Sequence, residues 1–186
     1  MGKDDSSKAA SEELGTRGRE TMKKLAKTLL VCGLGALLAR PASALEMRPI
    51  LTLEVARKIV EACIAKAQQQ GWKMHVAVLD IGGNLKAFAR MDDAQLISEE
   101  VAMRKAYTAA ALPRSTRETA DLAYRDPERR PGGIAFLPRV AIIQGGLPIM
   151  TAGGVHIGGV GVSGSSAQND EACAQAGLDA VKDELK

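Results

Sequence analysis

The chain holds two histidines, His75 and His156, and they are its candidate ligands for a metal ion. Each histidine falls in a stretch that reads as a strand. In Val155-His156-Ile157 the alternation sets the imidazole on the opposite side from its two apolar neighbours. A hydrogen-bonded or solvent-facing histidine is the commoner outcome at such a position, and metal ligation the sharper one. Lys105 and Thr108 lie three apart on a predicted helix, so they share a side, and beside an alanine-rich surface they could line a pocket. The acidic doublets Asp92-Asp93 and Glu99-Glu100 read as solvated charges. Helical neighbours point about 100° apart, and Met103 and Arg104 stand where a second acid on the same face would be needed. No Ser/His/Asp order and no Cys/His pair stands out, so no residue is assigned to catalysis.

Gly159-Val160-Gly161-Val162-Ser163-Gly164 spells G-x-G-x-x-G. A dinucleotide site needs those glycines in the turn after a parallel strand. Here they fall within a strand, where glycine lets another backbone, a helix or a flat ligand come close. Cys63 and Cys173 could pair in an oxidising compartment. Each lies in a predicted helix among apolar neighbours, however, and the expectation is two buried free thiols. No histidine accompanies them, which argues against zinc.

Several elements must position these groups. Thr52 caps a helix to Gln70 whose residues Leu53, Ala56, Val60, Ile64 and Ala67 keep three-four spacing, and Gly71 ends it. Met74 to Leu79 and Leu85 to Arg90 read as strands joined by the Asp80-Ile81-Gly82-Gly83-Asn84 turn. A second helix spans Ile97 to Leu112 and stops at Pro113. Its Ala102, Ala106, Ala109 and Ala110 give it a flat side able to accept a close neighbour. Ser115 and Glu118 form a capping box for a third helix. Residues from Tyr124 to Arg139 carry prolines and glycines and no period, as functional loops do. Val140 to Gln144, Leu147 to Met150 and Val155 to Ser163 read as strands with short links, which forces antiparallel pairing. A last helix runs from Gln168 to Leu185. The expected fold is α/β of the α+β kind, a five-stranded antiparallel sheet with helices packed on both faces.

Ahead of this domain the sequence predicts a signal peptide. Met22-Lys23-Lys24-Leu25-Ala26-Lys27 is a basic start, Thr28 to Ala39 an apolar run too short to span a bilayer, and Ala42-Ser43-Ala44 a cleavage site. Residues 1–44 are therefore an extension and leader, with the start at Met22 and cleavage after Ala44. Residues 45–186 form a single domain, periplasmic or secreted, with no membrane span after cleavage. Residues 45–186 contain 17 basic and 17 acidic side chains, and nothing marks a nucleic-acid partner.

Four stretches, taken together and in order, resemble the haem-binding GlcG-like family. They are Val76-Ala77-Val78-Leu79-Asp80-Ile81-Gly82-Gly83, Arg104-Lys105-Ala106-Tyr107-Thr108-Ala109, Pro131-Gly132-Gly133 and Gly158 to Gly164, and the Gln168-Asn169-Asp170-Glu171 helix start is similar too. The likeness runs from about Leu51 to Leu185. It implies a profilin-like fold, a homo-oligomer, and a small-molecule ligand that is haem or a related tetrapyrrole, in haem or iron sensing or storage. It also implies that Lys105, Thr108, Pro131, Gly132, Gly133, Gly159, Gly161 and His156 wall the pocket. Gly133 has no side chain to offer an iron, so either ligation falls to His156, His75 or Met150, or this member binds a ligand other than haem. The rival expectation is an enzyme or accessory subunit acting on a small organic acid or degrading haem.

Overall fold

The computed structural model describes residues 47–128 and 131–186. The leader expected over residues 22–44 lies outside them. Helix α1, Leu53–Gln70, starts where the Thr52 hydroxyl accepts the Val55 N–H at 3.2 Å, and it buries Val55, Ala56, Ile59, Val60, Cys63 and Ala67. Strands β1, His75–Asp80, and β2, Leu85–Arg90, form an antiparallel hairpin. The Asp80 carboxylate holds their turn by accepting the N–H groups of Gly82 and Asn84 at 2.9 and 3.0 Å. Helix α2, Leu96–Ala111, is followed by α3, Thr116–Ala123, which opens on the expected Ser115/Glu118 capping box. A single 3₁₀ turn, Gly133–Phe136, lies in the proline-rich loop. Strands β3, Gly146–Met150, and β4, His156–Ser163, lead to α4, Ala167–Ala180.

Among the described residues the sheet has four strands in the order β2-β1-β4-β3, every neighbouring pair antiparallel. The class is the one expected, but the fifth strand is absent. Val140 to Gln144 is apolar enough to read as a strand. Its backbone is claimed elsewhere: the Val140 N–H donates to Leu137 O at 3.0 Å, and the Ala141 N–H donates to the Thr108 hydroxyl at 2.8 Å. With those donors spent the segment cannot extend a ladder.

Helices cover both faces. Helices α1 and α4 bury Val76, Val78, Ile149, Val160 and Val162 on one side. Helix α2 lies on the other side, over Ala77 and Leu79. It also lies directly on Gly159 and Gly161 of β4. A Cβ on Gly161 would collide with the Ala102 carbonyl and the Ala106 N–H, and one on Gly159 with Ala106 and Ala110 backbone atoms. The flat alanine side of α2 and the bare backbone of β4 are thus two halves of one contact. The neighbour that these glycines admit is a helix.

Cys63 and Cys173 are joined as a disulfide, which corrects the expectation of free thiols. Helices α1 and α4 lie side by side on the same sheet face and bring the two Cα atoms to 4.7 Å, within bonding range. Both sulfurs are buried, as their apolar neighbours indicated.

Candidate functional site

Helix α2 carries most of the chemistry expected of the site, and it faces inward. The Lys105 ammonium donates to Asp170 Oδ2 at 2.7 Å and to the Val162 carbonyl at 2.9 Å, and the two charged side chains are 1% and 3% exposed. Asp170 stands in the first turn of α4, where its other oxygen accepts the Ser165 N–H at 3.0 Å. Burial pulls Lys105 below the ordinary ammonium range against the attraction of Asp170. The same burial raises Asp170 against the pull of Lys105. This ion pair locks α2 to the end of β4 and the start of α4. Thr108 donates to Arg104 O at 2.8 Å while accepting from Ala141, so it anchors the loop that precedes β3. Lys105 and Thr108 do share the inward side of the helix, and there they tie the fold together.

The proline-glycine loop meets the domain at other points. The Gly132 N–H donates to Ala123 O at 2.6 Å at the end of α3, and Gly133 is exposed. Further along, the Arg139 guanidinium lies over the Tyr107 ring, 3.7 Å from its centroid, and so rests against α2. Helix α2 therefore has the loop against it and the glycine strand beneath it. His156 reaches past the C-terminal turns of α2, with Nε2 2.9 Å from both Ala109 O and Gly158 O. Met150, its partner across β3 and β4, borders a surface cleft of about 380 Å³ between the end of β3 and α4.

His75 is different from all of these. It is fully buried, and neither ring nitrogen has a hydrogen-bond partner. Burial, with the Arg90 charge adding to it and Glu99 opposing, holds its pKa below the usual histidine value, so the ring is neutral. It lies on the α2 side of the sheet, in register with Arg90 of β2, and its ring is 6.0 Å from that of Phe88. Helix α2 packs over β1, β3 and β4. Its cover stops short of β2, where Leu85 and Phe88 stay 51% and 37% exposed.

Comparison with known proteins follows this geometry closely. A family profile described as "Haem degrading protein HbpS-like" matches residues 51–179, a span that starts just before α1 and ends in the last turn of α4. The chain belongs to the HbpS-like family. Among its relatives is Protein GlcG of Escherichia coli, 34% identical over 121 residues, which covers 64% of this chain and 85% of that one. The crystal structure of a Streptomyces reticuli HbpS double mutant superposes with a TM-score of 0.66 at 32% identity, covering 76% of this chain and 94% of the other. The crystal structure of a PduOC:haem complex superposes with a TM-score of 0.65 at 30% identity, covering 71% of this chain and 95% of the other. The expected resemblance to GlcG-like proteins is thereby established.

The residues of this HbpS-like chain can be tested for their fit to an iron tetrapyrrole. An axial ligand needs an uncommitted lone pair. His156 donates its Nε2–H to two carbonyls and keeps the lone pair of Nδ1, but it is tied to the end of α2, and Met150 borders a surface cleft. Among the described residues no group of three or more histidine, cysteine, aspartate or glutamate side chains could hold a bare metal ion. His75 offers two uncommitted nitrogens, so the donor set fits a metal that brings its own equatorial ligands. His75 was among the candidate ligands the sequence offered, and the partner role of Asp170 was not foreseen. The signal for Asp170 was present in the Gln168-Asn169-Asp170-Glu171 helix start.

Proposed function

We propose that this protein binds haem or a related metal tetrapyrrole, as an exported protein of the periplasm or the extracellular medium that assembles as a homo-oligomer. The observation that carries the ligand is the PduOC:haem complex, whose chain shares this fold over 95% of its length at 30% identity. The unpartnered imidazole of His75 supports it from within the chain. The Cys63–Cys173 disulfide supports export, because such bonds persist in oxidising compartments. Assembly is supported by large apolar side chains left in water, with Phe136 at 73% and Leu96 at 78% exposure.

When bound, the haem supplies the iron and its ligand-field chemistry, and the protein supplies the seat. Titrating the purified domain with ferric haem is expected to give a shifted Soret band that saturates at a fixed stoichiometry. A featureless linear rise would remove haem as the ligand. The description of the family as haem-degrading favours a second reading, an enzyme that consumes haem. Lys105 and Thr108 are both buried and engaged in hydrogen bonds within the fold. Adding a reductant to the haem complex separates the two readings: a binding protein keeps its Soret band, and an enzyme bleaches it over repeated turnovers.

A further inference from the structure

We infer that the uncovered face of β2 beside α2 is the tetrapyrrole seat, with His75 as the iron ligand and Phe88 as the side chain that moves to admit it. This rests on the haem-binding reading above and assigns it a place. Leaving a buried polar group without a partner is costly, and native proteins keep few of them. His75 is such a group twice over, since Nδ1 and Nε2 are both unpaired. A neutral imidazole beside an apolar surface is the form that ligates a metal.

The surroundings match the shape and charge of a haem. Directly paired residues of an antiparallel sheet point to the same side. The pairs His75↔Arg90, Ala77↔Phe88 and Leu79↔Leu85 therefore set Leu85, Phe88 and Arg90 on the side that faces α2. Tyr107 of α2 packs against Ala77 and Leu79 from above, so an apolar strip runs from Phe88 to Tyr107. A guanidinium stands at each end. Arg90 is the cross-strand partner of His75, with its guanidinium donating to the Ala94 carbonyl at 3.3 Å, and Arg139 lies over the Tyr107 ring, which itself abuts the hairpin turn at Gly83. A flat apolar disc carrying carboxylates at its edge suits a strip with a cation at either end. No other buried nitrogen in the described residues is both unpaired and next to an exposed aromatic ring.

His75 has no solvent exposure, so the iron reaches it only if a neighbour moves. Phe88 is the exposed ring beside it, on an edge strand, and a change of its side-chain rotamer opens the path.

The test compares wild type with His75→Leu, a substitution of similar size that removes both unpaired nitrogens and leaves the core apolar. Each protein is titrated with ferric haem and, separately, with metal-free protoporphyrin. The expected result is that His75→Leu loses the spectrum of histidine-ligated iron and binds haem at least about tenfold more weakly, the scale that losing even an outer partner of a metal ligand reaches. Metal-free protoporphyrin is expected to bind both proteins equally, because the strip is intact and no iron is present. If wild type binds haem saturably and His75→Leu keeps the same spectrum and affinity, the assignment to His75 is overturned while haem binding stands. If His75→Leu weakens metal-free protoporphyrin as much as haem, His75 shapes the seat without ligating, and the assignment again fails. If wild type itself does not saturate, the underlying reading fails and the inference with it.

Discussion

Asp170→Ala is expected to destabilise the domain by about 3–5 kcal/mol, the scale of breaking a buried pair by removing one partner. The Lys105 ammonium would be left 1% exposed with the Val162 carbonyl as its remaining acceptor. Burial already works against its charge, and removing Asp170 takes away the largest opposing attraction. The lysine would then have to lose its proton, draw water inward or push α2 off β4, where Gly161 depends on the close seat of that helix. Urea denaturation of wild type and variant measures the difference. Replacing both partners, as in Lys105→Met with Asp170→Leu, is expected to recover most of the loss, since well-packed apolar pairs often equal buried ionic ones. A single substitution with no effect would mean that water already reaches the pair.

Removal of the disulfide is expected to rank next. Cys63 and Cys173 are 110 residues apart, so their bond closes a loop that includes the whole sheet. Chain-entropy reasoning assigns a loop near that length about 4–5 kcal/mol, and measured losses fall between about 2 and 5 kcal/mol. Cys63→Ala with Cys173→Ala should lower the urea midpoint by a corresponding amount, as should full reduction of wild type. In protein purified without reductant, Cys63 and Cys173 should resist alkylation until the protein is reduced, as peptide mapping would show. Two freely alkylated cysteines in that preparation would remove the bond and with it the support for export.

Much of the fold was legible because its signals are local. Thr52 and Ser115 each cap a helix through their own hydroxyl, and the three-four spacing in α1 marks its buried side. The glycines of β4 and the alanines of α2 were legible as two surfaces able to approach closely, and they meet each other. What failed depended on partners distant in sequence. Val140 to Gln144 has the composition of a strand, but Thr108, 33 residues earlier, takes the N–H that a ladder would need. Lys105 was correctly set on one side with Thr108, yet its meaning comes from Asp170, 65 residues further on. The same holds for Cys63, whose apolar neighbours reported burial and could not report Cys173. His75 carried a signal too faint to rank, since a lone histidine in a strand says nothing about whether its nitrogens will find partners. Only the packed sheet shows that they do not.

These results centre on one claim, that an iron tetrapyrrole sits on the β2 face with its iron at His75. The most direct measurement is a crystal structure of the haem complex with anomalous scattering collected at the iron edge. The expected map has one iron peak per chain, within bonding distance of a His75 ring nitrogen, with the Phe88 ring turned away. An iron peak in the Met150 cleft or beside His156, with His75 still enclosed, would contradict the claim.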